Sequence, residues 1–287
     1  MNTMNPRPSA SARAIHFSPY MLFRGIILAA AVSASACAAA PGILIEGAER
    51  RGVPGFDTRD YPGAAAMRAW FGESPYRWVG YYLPAPCYTG TTWSGRRDEL
   101  RSIGWGFAVL YVGEQDWRAM GRASADTAAV EEPRCSSDHL TAEQGRAHAA
   151  EAAASAADDG FPAGTVIFLD VERVEQVSPE LSAYVRAWVA RMLDERRYTP
   201  GLYAHDINVE ALYSILADEF VRHQRTDRPP LWVARPAGFD LNSAPAESGY
   251  AAALIWQGRL NTVEQWGGTR LNIDANVSSS ADPSRGR

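Results

Sequence analysis

The segment Thr165-Val166-Ile167-Phe168-Leu169-Asp170-Val171-Glu172 is an apolar, β-branched run that ends in Asp-x-Glu. Side chains alternate along a strand, so Asp170 and Glu172 share one face with Cα atoms roughly 6.5–7 Å apart. Two such carboxylates resist desolvation and repel each other, which raises one pKa. A carboxyl kept protonated beside an anion can act as a general acid. A strand that simply runs out into solvent would carry the same residues without using them. Further polar side chains stand at the ends of other apolar runs: Asp57 in Gly55-Phe56-Asp57, Gln257 after Trp256, and Asn272, Asp274 and Asn276 in alternation. Each alone reads as a loop cap. Together they read as a site.

The elements that must carry them come from hydrophobic periodicity. Strands are expected at residues 52–58, 77–83, 107–113, 165–172, 201–205, 231–235, 253–257 and 271–277. Helices are expected from Thr141 to Asp159, with Thr141 and Gln144 spaced as a capping box, and from Ser178 to Arg196, with Pro179 at the first helical position. A third should follow Asp206 through Phe220. Alternation repeated about eight times predicts a single-domain α/β fold, a (β/α)8 TIM-type barrel over residues 52–278. An open doubly wound sheet is the alternative, but no Gly-x-Gly-x-x-Gly follows the first strand. The long connections 84–100 and 114–140 both follow strands, so on a barrel both lie at the C-terminal rim.

The first 36 residues hold Arg7, Arg13 and Arg24, no acidic residue, an apolar stretch from Gly25 to Val32, and Ala34-Ser35-Ala36 before Cys37. This is the layout of an export signal, with Met21 as a second possible start. Ala34-Ser35-Ala36-Cys37 is similar to a bacterial lipobox, so lipidation at Cys37 is expected, with plain cleavage after Ala36 as the alternative. Residues 37–51 then form a tether and 279–287 a frayed tail. Loss of the signal takes the net charge from −5 to −8. Such an acidic protein offers nucleic acid no electrostatic footprint. Cys87 and Cys135, one in each long rim connection, can pair in an oxidising compartment. No metal spacing is present, and neither metal nor cofactor is expected. A carboxylate cluster holding a divalent ion stays open. A monomer is expected.

The ordered set resembles a known family. Gly-Phe-Asp on the first strand, Phe-Leu-Asp-Val-Glu on the fourth, Gly201-Leu202-Tyr203 on the fifth, Trp256-Gln257 on the seventh and Asn-Ile-Asp-Ala-Asn on the eighth are similar to the glycoside hydrolase family 25 lysozymes. Met67-x-x-Trp70, Gly80-Tyr81-Tyr82 and Tyr111-Val-Gly-x-Gln115 bring the chain nearer to an exported glycoside-hydrolase-like branch related to them. The resemblance implies Glu172 as acid/base, Asp170 as the carboxylate that orients a substrate acetamide, and Asp57 and Asp274 as supporting carboxylates. It implies Tyr82, Gln115, Tyr203, Trp256, Gln257, Asn272 and Asn276 as substrate-binding residues and an N-acetylated cell-wall glycan as partner. His205, at the end of the fifth strand, can hydrogen-bond a ligand or serve as a cap. The only membrane contact expected is through the lipid anchor. Trp93, Trp117 and Trp266, in expected loops, are candidates to line the cleft. A barrel that keeps the acidic pocket for binding alone is the competing reading.

Overall fold

The structure is a computed structural model that describes residues 52–120 and 134–285. The expected export signal, Cys37 and the tether lie outside the described residues. Eight strands close into a barrel in chain order: β1 (Val53–Asp57), β2 (Trp78–Tyr82), β3 (Gly106–Val112), β4 (Val166–Asp170), β5 (Thr199–His205), β6 (Leu231–Ala234), β7 (Ala253–Trp266) and β8 (Thr269–Ser278). Helices α1 (Ala64–Glu73), α2 (Arg97–Ile103), α3 (Ala142–Asp158), α4 (Pro179–Glu195) and α5 (Val209–Arg222) each follow the strand of the same number. Their starts are written locally. Thr141 Oγ1 accepts the Gln144 N–H at 3.1 Å, and Ser178 Oγ accepts that of Leu181 at 3.1 Å. These hydrogen bonds satisfy donors that a first helical turn leaves open.

The barrel departs from strict (β/α)8 alternation at its end. β8 runs antiparallel to both β7 and β1. An antiparallel partner needs no crossover helix and can be joined by two residues. Gly267 and Gly268, at φ 55° and 74°, supply that turn between paired Trp266 and Thr269. Both central residues of such a turn need positive φ, which glycine adopts freely. Register shifts between Gln257 and Thr262 bend the hairpin, and its far end meets α1, where Trp70 Nε1 donates to the Thr269 carbonyl at 3.0 Å.

The last residues also differ from the expectation of a frayed tail. As far as Arg285 they are held at the N-terminal end of the barrel. Below the Val109–Ile167 pair, β3 and β4 part, and Ser284 stands between them. Its N–H donates to the Phe107 carbonyl at 2.8 Å, its carbonyl accepts the Val166 N–H at 2.8 Å, and its Oγ accepts that of Val109 at 2.8 Å. The tail thus completes ladders that the two strands leave open.

Inside the barrel, large and small residues complement each other. Trp78 fills the space over Gly55, where an added Cβ would fall 2.1 Å from the indole. Trp232 packs edge-on to Trp78, Phe168 and Tyr203. These rings close the lower barrel, and the side chains above them are polar. That division positions the site.

Candidate functional site

Each parallel strand places its last inward residue at the C-terminal end, and β8, running the other way, reaches that end early. Asp57 is therefore opposite Asp274 in the β1–β8 register. Asp57 is the hub. Its Oδ1 accepts the Tyr82 hydroxyl at 2.8 Å, and its Oδ2 accepts the amides of Asn276 at 2.8 Å and Gln257 at 3.0 Å. Gly80 makes the space, since a Cβ there would lie 2.5 Å from the Asp57 Cβ. Trp232 Nε1 donates to Asn276 Oδ1 at 2.9 Å and so turns that amide's donors toward Asp57. The Tyr203 hydroxyl does the same for Gln257, donating to its Oε1 at 2.7 Å.

Asp274 is half-buried and held from two sides. Gln257 Nε2 donates to its Oδ2 at 3.2 Å and the Asn261 N–H to its Oδ1 at 2.6 Å. Asn261 presents that N–H from the bulge, where its φ of 51° is left-handed. β4 ends at Asp170, so Glu172 lies on irregular chain just beyond it. Its N–H donates to Gln115 Oε1 at 3.0 Å, its carbonyl accepts Asn208 Nδ2 at 2.9 Å, and its Oε2 is 3.1 Å from His205 Nε2.

Burial dominates the electrostatics. It pushes Asp57 up to about 6, while the Asn276, Tyr82 and Gln257 donors pull the other way and the Glu172 charge adds to the rise. Asp170 is pushed well above the carboxylate range by burial first, then by Glu172, Asp57 and Asp274. Mutual repulsion, the cause expected for a raised carboxyl, comes second. Asp170 Oδ1 is buried without a hydrogen-bond partner. Burial and the surrounding carboxylates also hold the Tyr82 and Tyr203 phenols protonated, so both stay donors. The assembly can hold a proton on one carboxyl beside negative charge on another.

Asp57, Asp170, Glu172 and Asp274 are thus brought together, with Tyr82, Tyr203, His205, Gln257 and Asn276 among them. Three expected binding residues do not present their side chains to this group. Gln115 is fully buried, and both its amide protons go to main chain, to the carbonyls of Asp170 at 2.9 Å and Gly113 at 3.1 Å. Trp256 follows from strand alternation: Gln257 points inward, so Trp256 packs outward on Phe239 and donates to the Arg235 carbonyl at 2.7 Å. Asn272 is exposed on the hairpin opposite Val263, outside the hydrogen-bonded group. Trp93 is buried, its Nε1 on the Arg59 carbonyl at 3.1 Å, and Trp117 and Trp266 are half-buried. Asn208 went unnoticed in the sequence, where one Asn after a strand end carries no signal of its own.

Cys87 and Cys135 form a disulfide that joins the two rim connections. Among the described residues, only Cys87, Glu114 and Cys135 bring three ligand atoms to metal-binding spacing, and both sulfurs are in that bond. The acidic pocket is not such a group.

Several solved proteins are similar to this chain. An uncharacterized B. stearothermophilus protein is similar at 20% identity over 79% of this chain and 96% of its own, with a TM-score of 0.48. The Mycobacterium tuberculosis Tat-secreted protein Rv2525c is similar at 16% identity over 78% and 94%, TM-score 0.47. The modular autolysin LytC from Streptococcus pneumoniae is similar at 13% identity over 80% of this chain and 47% of its own, TM-score 0.50. No protein of curated function matches the chain. The family model of the Rv2525c-like, glycoside hydrolase-like domain matches residues 68–278, and the chain belongs to that family.

Proposed function

We propose that this protein hydrolyses an N-acetylated cell-wall glycan of the peptidoglycan class. The observation that carries the reading is the convergence of four carboxyl groups at the C-terminal end of the barrel, where one Asp170 oxygen is buried without a hydrogen-bond partner. Glycoside cleavage needs a proton at the leaving oxygen and negative charge near an oxocarbenium-like carbon. Glu172, pinned at both main-chain atoms, serves as acid and then base. Asp170 takes the substrate acetamide on its unpartnered oxygen and orients it as the internal nucleophile, as substrate-assisted enzymes do. Asp57 and Asp274 hold Tyr82, Gln257 and Asn276 in place and keep the local charge negative. LytC, a fold relative, has been solved with a synthetic peptidoglycan ligand, which fits the same substrate class. The chain is exported on this reading, with Cys37 lipidated. Radiolabelled palmitate should enter the wild type and be absent from Cys37→Ala.

The test is mass spectrometry of products after incubating the mature protein with purified sacculi. Muropeptides with new reducing ends are expected, and Glu172→Gln should lower their rate by about 10²–10⁴-fold with the fold intact. A folded wild type that releases nothing between pH 4 and 8 overturns hydrolysis. The second reading, a barrel that binds glycan without cleaving it, draws on His205, which engages the carboxylate assigned as acid. It predicts sugar binding that Asp170 and Glu172 substitutions alter, with no turnover to lose.

A further inference from the structure

Asp170 is the last residue of β4, and Glu172 sits just past the point where regular structure has stopped. Past Asp170 the Val171 N–H still donates to the Tyr203 carbonyl of β5 at 3.2 Å, but the ladder goes no further and residues 171–174 are irregular. Main chain of that kind keeps a fixed path only if other groups satisfy its N–H and carbonyl. Here one side chain does so on both flanks of Val171. The Gln115 carboxamide donates to the Asp170 carbonyl at 2.9 Å and accepts the Glu172 N–H at 3.0 Å. An amide can do both from one plane, whereas an ionised carboxylate of the same length offers acceptors only.

Gln115 is itself fastened. Its neighbour Glu114 accepts the Ser136 N–H at 2.9 Å, and the Glu114 N–H donates to the Tyr184 hydroxyl at 3.2 Å. Ser136 follows Cys135, which is bonded to Cys87, and the Cys87 N–H donates to the Val112 carbonyl at 3.3 Å. The returning rim segment is therefore tied covalently to the β2 rim and lies against the two residues that precede Asp116. We propose that Gln115 is a positioning residue that sets the path of Asp170 and Glu172, and that the Cys87–Cys135 bond locks Gln115 in place. The inference rests on the pocket being the working site. It gives the disulfide a task in site geometry besides its effect on folding.

The experiment uses the full mature chain as wild type, Gln115→Met, Gln115→Glu and Cys87→Ala/Cys135→Ala. Hydrogen exchange read by mass spectrometry should be about tenfold faster in peptides covering 166–174 of the Met and double-Ala variants, with β5 and β6 peptides unchanged. If sacculi are cleaved, kcat should fall about tenfold to a hundredfold with KM within about twofold, since misplacement of reacting groups acts on turnover. Gln115→Glu should recover toward wild type as pH falls, because the protonated acid again gives and takes one hydrogen bond, and Gln115→Met should not. Wild-type exchange in 166–174 in both the Met and double-Ala variants overturns the proposal, whatever the turnover. An inactive wild type whose variants show the faster exchange removes the hydrolase reading and keeps this one. Should Gln115→Met expose every peptide, the double-Ala variant decides.

Discussion

The two ends of the barrel are built from opposite materials. At the C-terminal end, carboxyls are buried together at a free-energy cost that shows in the raised positions of Asp57 and Asp170. At the N-terminal end, Trp78 and Trp232 fill the lumen and Ser284 supplies hydrogen bonds that two strands lack. Polar groups at one end are strained by burial, and at the other they are satisfied. In barrels of this class the C-terminal face carries chemistry and the opposite face carries stability. The contrast says where substitutions should reduce stability and where they should reduce only activity.

The sharpest way to break this contrast is Trp78→Ala. Removing a fully buried indole from the closed end should lower unfolding free energy by about 3–5 kcal/mol in urea titrations. A loss below about 1 kcal/mol would show that the rings do not carry that end. The pH dependence comes next. Asp57 binds its proton more tightly folded than unfolded, so the folded state holds excess protons between pH 3.8 and about 6. Stability should then fall as pH rises through that window, by about 3 kcal/mol for Asp57 alone. Asp170, shifted in the same direction, steepens the fall. Chemical denaturation from pH 4 to 7 tests the sign. A rising curve that Asp57→Ala leaves unchanged would contradict burial as the dominant cause.

Asp170→Asn should raise stability at pH 7 by on the order of 1 kcal/mol, since a neutral amide replaces a buried ionisable oxygen with no partner. On the proposed hydrolase reading it should also abolish glycan turnover, which would make the activity–stability opposition visible at one position. The smallest effect expected is Ser284→Ala at the far end. It leaves the Val109 N–H without its acceptor and should lower the urea midpoint by an amount equivalent to about 1 kcal/mol, with glycan turnover unchanged.

Much of the architecture was legible because periodicity reports it directly. The strand run ending in Asp170 and the capped starts of α3 and α4 lie within a residue or two of their expected bounds. The direction of β8 was not legible. Alternation along Asn272, Asp274 and Asn276 reads the same for a parallel or an antiparallel strand. For the site, residue type and strand position sufficed to gather Asp57, Asp170, Glu172 and Asp274. They did not distinguish a side chain that faces a ligand from one fully engaged with main chain. Gln115 shows the difference, because its partners are main-chain groups at and just past the end of β4 and in its own rim segment. Trp256 shows a simpler limit: an aromatic next to an inward Gln must face the other way, and period two overrides the appeal of a ring near a sugar site.

The reversed last strand has one more consequence. β1 begins at the plugged end, with Val53 paired to Ser278, and β8 finishes there. Both connections to the rest of the chain therefore leave from the side away from the acids. A linkage made directly at Gly52 or just beyond Arg285 would hold the cylinder by the end away from the acids. Copies immobilised at those two points should accordingly keep whatever glycan binding the free protein has.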